Sequence, residues 1–446
     1  MSSETPQMNL PSNWTEQEKW VWEKLSKGKI ADFTAEEAKR ELSIKTEDSQ
    51  EWSEKTVISP AFLQSILLKE AYRANLPWLG VKIIGAWIKE PLSLEDAVLS
   101  HSWWMDRCRF EAEVVLRGLR TPWTILLEGS TFEKSLNIEV ATIDGSLNMI
   151  ASRFKGHLTM NYLNVKQHLF MTKAQFLDVD IIAASVGGRV DMTGSSFTGL
   201  LNMNSLEVGQ DLFMNDKAQF SKVDLGGAKI GGQLNMIDST FTGCLNMASL
   251  EVRQHLLMNN ISHFADVDLI VAKVMGQMNM DHSIFTGLLN MNGLKVGGQL
   301  NMDGSTFEKP LKMNCLDVKQ SLMMRGGARF TEVNISAARV GGGVEMTNST
   351  FSGLLNMDGL EVEQHLLMNN KARFAKVRLV GAKVGGQLVM SGSIFTGSLI
   401  MEHIHIGLDL LMRNLNCPME GERVNLIFAE ILGNWLSLAV KFLPWT

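Results

Sequence analysis

The stretch FSKVDLGGAKIGGQLNMIDSTF, residues 220–241, decides the fold of this chain of 446 residues. Its inward candidates form four pairs with members two positions apart: Val223 with Leu225, Ala228 with Ile230, Leu234 with Met236, and Ser239 with Phe241. A spacing of two places both members on one face of an extended strand, and the glycine pairs between them suit sharp corners. The stretch therefore predicts a four-sided coil, whose faces we number first to fourth in the order of these pairs.

Phenylalanine shows that the coil repeats. Fourteen phenylalanines recur at intervals of 21 to 23 residues, at positions 110, 132, 154, 176, 197, 220, 241, 264, 285, 307, 330, 351, 374 and 395. A period of this length is typical of stacked repeats. From Phe176 the intervals mostly alternate between 21 and 23, with a break between Phe285 and Phe307, which indicates a unit of two coils. At about 4.8 Å per coil, about 16 coils predict a rod roughly 75–80 Å long.

A small residue stands two positions before the large inward residue in several strands: Ala218 before Phe220, Ala228 before Ile230, Ser239 before Phe241, and Cys108 before Phe110. In this respect residues 80–442 resemble the pentapeptide-repeat family, with coils of about 22 residues rather than 20 that mark a divergent branch. The resemblance implies a right-handed, quadrilateral β-solenoid; the family's functions are diverse, so it implies little about activity. We expect a mainly β protein with the solenoid at residues 80–446.

Residues 1–79 differ in composition and are expected to form a small helical segment. Nine of the eleven tryptophans lie at or before Trp123. Thr15 and Glu18 have the spacing of a capping box, and Ser59 with Pro60 is typical of a second helix start. Because the open end of a solenoid exposes backbone edges, we expect this segment to cap the first coil.

Charge and cysteine content narrow the classes of function. The chain has 42 basic and 48 acidic residues, a net charge of −6, which offers only a weak field for nucleic acid. Four dispersed cysteines without a CxxC motif favour a reduced, cytoplasmic protein. The N-terminal stretch MSSETPQMNLPSNW has neither the basic start nor the apolar core of a signal peptide.

The residue types that suggest chemistry have structural explanations. Methionines such as Met203, Met236 and Met302 follow the inward leucine of L-x-M and are expected to fill the core. His168, His255 and His365 share the slot Q-H-L but lie four and five coils apart, too far to share a metal ion. We therefore expect no catalytic residue, metal or cofactor, and no small-molecule substrate.

Outward residues of the first face form a polar column stepping by about 22. This polar ladder comprises Asn137, Asp180, Asn202, Asp224, Asn246, Asp268, Asn290, Asn334 and Asn356, with Thr159, Lys312 and Arg378 at the remaining positions. A solvated ladder with hydrogen bonds between coils is one interpretation. A row that binds carbohydrate or nucleic acid is the alternative.

Outward residues of the third face include a column of large apolar side chains. This third-face stripe comprises Phe170, Phe213, Leu257, Met323, Leu367, Val389 and Leu411. Exposed, such a stripe is typical of a partner-binding, dimer or membrane-surface site. Alternatively, longer corners such as residues 215–217 fold over these side chains.

The apolar stretch from Val424 to Trp445 raises the question of a membrane segment. Val424, Leu426, Ala429 and Ile431 match the inward residues of the 220–241 coil, and Phe442 falls where Phe241 would. We therefore expect a degenerate final coil rather than a spanning helix. It would be an unprotected end that needs a partner or a second copy, or one left by a truncated gene.

The leading hypothesis is a non-catalytic, rod-shaped interaction or scaffold protein that binds a protein partner or itself. The alternatives are peripheral membrane association through Val424–Trp445, and protection of a topoisomerase by mimicry of DNA. Mimicry needs an acidic rod, whereas residues 80–446 carry 32 basic and 35 acidic side chains. An enzyme acting on polysaccharide would need a cluster of carboxylates, which the dispersed polar ladder does not provide.

Overall fold

The computed structural model describes residues 10–42, 52–418, 424–436 and 441–443. The chain divides into two compact units, Met1–Asp191 and Met192–Thr446. It is mainly β, a β-solenoid of about 16 turns with a few helices near its N-terminus. The fold class expected from the sequence is confirmed.

The first unit begins with short helices, Glu16–Ser26, Glu36–Glu41, Pro60–Leu68 and Glu70–Arg73, and a 3₁₀ turn at Glu54–Thr56. The predicted capping box is present, with the Glu18 carboxylate accepting the Thr15 backbone N–H at 2.8 Å. Glu18 is buried, and its other oxygen accepts the backbone N–H of Ser59 at 2.9 Å. Ser59 in turn caps the helix Pro60–Leu68. One buried carboxylate thus joins two helix N-termini, where negative charge is favoured.

This helical segment contributes hydrogen bonds to the edge of the first coil. The strand Ala31–Asp32 pairs in parallel with Val81–Ile84, and the backbone N–H of Phe33 donates to the Ile84 carbonyl at 2.9 Å. The backbone N–H of Ile58 donates to the carbonyl of Trp87 at 3.1 Å. Two sides of the first coil therefore have backbone partners from the segment, which leaves less open strand edge there.

The solenoid of the first unit starts with the strands Val81–Ile84, Trp87–Ile88, Leu92–Ser93 and Trp103–Asp106. The next coil has four two-residue strands, Arg109–Phe110, Val114–Val115, Arg120–Thr121 and Ile125–Leu126. This set recurs, strand upon strand in parallel register, up to Ser185–Val186 and Val190–Asp191.

The second unit repeats the same coil. In the 220–241 stretch the strands are Gln219–Asp224, Lys229–Ile230, Leu234–Asn235 and Thr240–Phe241. Most other strands have two residues; the longer ones are Ser196–Asn202, Thr350–Asn356, Arg373–Arg378, Asn416–Pro418 and Lys441–Leu443. The eight residues that the sequence pairs predict to point inward are all buried, as are the methionines of the L-x-M positions. The core is therefore a column of apolar side chains inside each coil.

The alternation of 21 and 23 has a local cause. Before Phe220, Phe264, Phe330 and Phe374 the corner carries two consecutive left-handed residues instead of one, as at Asp216 and Lys217. The corner after each of these phenylalanines is one residue shorter, with two residues between Phe220 and Val223 but three between Phe241 and Leu245. The other three faces consequently keep a step of 22, as in the pairing of Asn202 with Asp224 and of Asp224 with Asn246. In this unit only the phenylalanine strand shifts along the chain.

Glycine at the corner between the second and third faces permits close stacking. A Cβ atom on Gly297 would lie 2.2 Å from the carbonyl oxygen of Met275 in the preceding coil, and one on Gly231 would lie 2.2 Å from that of Gly209. Because both obstacles are backbone atoms, a larger residue would force the coils apart. The recurring Gly-Gly-Gln sequence is therefore a requirement of stacking.

The fourth face is held by aromatic stacking and buried hydroxyls. Neighbouring phenylalanine rings stack with centroids 4.6 to 5.2 Å apart within each unit. Two positions before Phe285, the buried hydroxyl of Ser283 donates to the Met258 carbonyl of the preceding coil at 2.7 Å. The small residue that the resemblance emphasised thus satisfies a buried carbonyl as well as making room for the ring.

Candidate functional site

The polar ladder forms a column in register within each unit and serves mainly the corners. The Asp224 carboxylate accepts the backbone N–H of Gly226 at 2.8 Å, and the Asn246 side-chain oxygen accepts that of Ala248 at 3.1 Å. Asn137, Asn202, Asp268, Asn290, Asn334 and Asn356 make the same bond to the residue two positions on. The Asn246 amide also donates to Asp224 at 2.9 Å, a bond between coils of the kind expected from the sequence. Asn and Asp are therefore suited to this position because they satisfy a corner amide locally.

Where the ladder lacks Asn or Asp, the preceding coil supplies the acceptor. At Lys312 the corner amide of Asn314 donates to the Asn292 side chain at 2.9 Å, and at Arg378 the amide of Val380 donates to Asp358 at 2.9 Å. Asp180 instead contacts His157 at 2.9 Å, and Asn161 accepts the backbone N–H of Ile182. The ladder is thus explained by the needs of the corners without a ligand.

The histidines of the Q-H-L slot have a similar structural role. The Nδ1 atoms of His168, His255 and His365 accept backbone N–H groups of the next coil, those of Arg189, Gln277 and Gln387, at 3.0 to 3.1 Å. Asp211 occupies the same slot and accepts the backbone N–H of Gln233 at 2.8 Å. The part of the chain that the structure describes contains no group of three or more His, Cys, Asp or Glu able to hold a metal ion.

Replacing His255 by leucine should lower the free energy of unfolding by about 1 kcal/mol, because the backbone N–H of Gln277 loses its acceptor. Replacing it by aspartate, the natural residue at 211, should change stability less, since a carboxylate supplies the same acceptor. Urea denaturation followed by circular dichroism measures both. Equal losses for the two variants would show that the acceptor does not matter.

The third-face stripe is in register within each unit but is not freely exposed. Its side chains are half-buried, and Val389 is buried at 9% exposure. Phe170 lies 5.1 Å from the Arg189 guanidinium and 5.5 Å from the His168 ring. The Met323 sulfur accepts from Gln299 Nε2 at 2.7 Å. Neighbouring side chains therefore cover part of the stripe.

Sequence analysis missed two members of this column. Trp104 and Leu126 are paired in register on the third face of the first unit, and Lys82 lies 4.2 Å above the Trp104 ring. Both follow an inward residue, as Phe170 follows Leu169, so counting back by 22 from Phe170 was a sufficient signal for Leu126.

Apolar residues are most exposed towards the last described coil. Leu367, Val389 and Leu411 follow one another on paired strands without a polar residue between them. At the adjoining corner, Leu408 is 49% and Leu432 64% exposed. We refer to Leu367, Val389, Leu408, Leu411 and Leu432 as the C-terminal apolar surface. Ile427 and Phe428, at another corner of that coil, are also exposed, and Phe428 stacks on His403 at 5.0 Å.

The backbone of the 424–443 region continues the solenoid. Val424 pairs with Leu399, Ile431 with Ile406, and Phe442 with Cys417, which is the register expected for a final coil. Among the residues that the structure places, no helix is both long enough and apolar enough to cross a membrane. Trp445 lies outside the described residues.

A charged column on the second face also escaped sequence analysis. In the second unit it reads Glu207, Lys229, Glu251, Lys273, Lys295, Asp317, Arg339, Glu361, Lys383, His405 and Glu430. Lys229 bonds Glu207 at 3.0 Å, which raises the pKa of the lysine. Lys273 bonds Glu251 at 2.7 Å and lowers the pKa of that carboxyl. Exposed pairs of this kind contribute about 0.2–1 kcal/mol each, so the column mainly aligns the coils.

Comparison of the chain with protein-family models, with curated proteins and with solved structures finds no match. Function is therefore argued from the geometry above.

Proposed function

We propose that this protein is a non-catalytic interaction module that associates with a second copy of itself through the C-terminal apolar surface. The observation that carries the proposal is the exposure of Leu408 and Leu432 beside the unbroken apolar run Leu367, Val389 and Leu411. Exposed apolar residues in one contiguous patch are typical of protein–protein contacts.

A second copy fits this surface chemically. An apolar patch is complementary to itself, so a two-fold axis can cover it without another kind of partner. The supporting strands are flat and regular, which allows two such faces to approach closely. The rest of the third-face stripe is interrupted by Asn279, Asn301 and Glu345, and Glu345 is paired with Arg325 at 2.7 Å. The uninterrupted part of the column is thus the better contact.

The mass of the protein in solution tests the proposal. The wild type should be a dimer by light scattering after size-exclusion chromatography, and Leu411→Asp should be a monomer because the charge would be buried in the contact. The variant should fold, since Asp191 and Glu345 occupy equivalent third-face positions in other coils.

Asn235→Asp adds the same charge to the same column outside the surface and should remain dimeric. A monomeric wild type, or a Leu411→Asp variant with unchanged mass, would overturn the proposal. If Phe213→Asp with Leu257→Asp dissociates the dimer and Leu411→Asp does not, the contact lies elsewhere on the third-face stripe.

The membrane alternative is less favoured by the charges near this surface. Glu430 is exposed in the same coil, and Asp409 follows Leu408 directly. Carboxylates at these positions would be repelled by anionic lipid. Protein found in the membrane fraction of fractionated cells would favour the alternative.

We also propose that the chain is a divergent member of the pentapeptide-repeat family and works in the cytoplasm. The small residues that precede the inward phenylalanines support membership, since Ala218 and Ser239 are buried beneath the stacked rings. Free Cys244 and Cys315, both exposed, are compatible with a reducing compartment.

A further inference from the structure

A shallow cleft of about 220 Å³ lies on the first face of the second unit, centred on Lys312. Asn292, Asn314, Asn334 and Glu332 line it together with Pro310. Here lysine replaces the Asn or Asp of the polar ladder, between Asn290 and Asn334 on the paired strands. The alternation of corners also breaks here, because Phe307 follows Phe285 by 22 and both are followed by the longer corner.

The hydrogen bonds fix the orientation of the asparagines in the cleft. The Asn292 oxygen accepts the backbone N–H of Asn314 at 2.9 Å, and the Asn334 oxygen accepts that of Ser336 at 3.1 Å. The Asn314 oxygen accepts the Ser336 hydroxyl at 3.2 Å. Since a backbone N–H can donate only to the oxygen, the amide NH₂ groups of Asn292 and Asn334 are assigned by their bonding.

These NH₂ groups are left with no partner among the described residues. In the upstream part of the ladder, by contrast, Asn246 donates its NH₂ to the carboxylate of Asp224 at 2.9 Å. Lys312 offers no such acceptor to its neighbours and belongs to none of the ion pairs formed within the described ranges, in contrast with nearby Arg325, which is paired with Asp303. The cleft therefore combines one unpaired ammonium group with several unused amide donors.

We propose that this cleft binds an oxyanion group, phosphate or carboxylate, of a small molecule. Ammonium and amide donors converging on one place suit an acceptor-rich anion, and bonds between charged partners are stronger than neutral ones. The volume exceeds several times the roughly 30 Å³ share of one water molecule, which leaves room for such a group. Glu332 is exposed at the edge, where its carboxylate can accept a hydroxyl group of the same ligand.

Isothermal titration of the full chain with inorganic phosphate and, separately, with citrate tests this proposal. At least one of the two anions should bind the wild type, and Lys312→Asn should weaken that binding about tenfold or more. The variant restores the ladder residue found at 290 and 334, so it should fold normally. The anion that binds decides between a phosphate and a carboxylate source.

Lys295→Asn provides the matched control, because it removes one exposed lysine from the second face and should leave the affinity unchanged. The side-chain amide NMR signals of Asn292, Asn314 and Asn334 should shift with the bound anion and should not shift in the Lys312→Asn variant. Absence of binding by both anions, or equal affinity in the Lys312→Asn variant, would overturn the proposal.

Discussion

Replacing Phe285 by alanine is expected to lower the free energy of unfolding by about 3–5 kcal/mol. The ring is completely buried and stacks on Phe264 and Phe307 with centroids 5.0 and 4.8 Å apart. Its loss leaves a cavity that two neighbouring coils share, and the stacked backbone limits how far they can collapse into it. Urea denaturation followed by far-ultraviolet circular dichroism measures the effect.

Phe285→Leu is the control for this prediction, since leucine keeps most of the apolar volume and should destabilise much less. The stability of a solenoid is approximately a sum of neighbour contacts, so the change should be largest in coils next to residue 285. A loss below about 1 kcal/mol for Phe285→Ala would contradict the view that the phenylalanine column holds the coils together.

Replacing Asp106 by asparagine is expected to stabilise the protein at pH 8 and to leave its stability unchanged at pH 4. Asp106 is 8% exposed. Burial, and then the charge of Glu128, raises the pKa of its carboxyl to about 7, against an ordinary value of 3.8. Arg107 and Lys82 act in the opposite direction but do not compensate.

The sign follows from proton binding in the two states. Between pH 4 and pH 7 the folded protein holds a proton on Asp106 that the unfolded chain has released, so stability falls as pH rises through this range. A difference of about three pKa units corresponds to at most about 4 kcal/mol above pH 7, which Asp106→Asn should recover. The variant keeps an oxygen to accept the backbone N–H of Glu128, as Asp106 does at 3.2 Å.

Thermal unfolding of both proteins between pH 4 and pH 8 measures this difference. Asp96→Asn, which removes a carboxylate at an exposed corner of the same unit, should show no comparable pH dependence. Parallel stability curves for wild type and Asp106→Asn would show that Asp106 is ionised in the folded protein at neutral pH.

The coil could be predicted from the sequence because its signal is local. Inward pairs two residues apart identify a strand, and the recurrence of phenylalanine identifies the stacking, so the buried residues of 220–241 could be assigned correctly. The same pattern showed that Phe170 and Leu257 point away from the core.

The exposure of those side chains could not be predicted, because it depends on neighbours 20 or more residues away. Phe170 is partly covered by Arg189 and Met323 by Gln299, contacts set by side-chain conformations that the repeat does not specify. The polar ladder had the same limitation. Whether an amide is served by Asp224 in its own coil or by Asn292 in the preceding one depends on geometry across the stack.

The oxyanion cleft required both levels of information. The sequence shows that Lys312 interrupts the polar ladder, but only the hydrogen bonds show that the neighbouring amides have used their oxygens and kept their donors. The cleft also qualifies the expectation that the protein has no small-molecule ligand.

Hydrogen–deuterium exchange of the full-length protein at low and high concentration tests the proposed self-association most directly. The account predicts that concentration protects backbone amides in residues 385–416, which include Val389, Leu408 and Leu411, and leaves the first unit unchanged. Identical exchange at both concentrations, or protection confined to other faces, would contradict it.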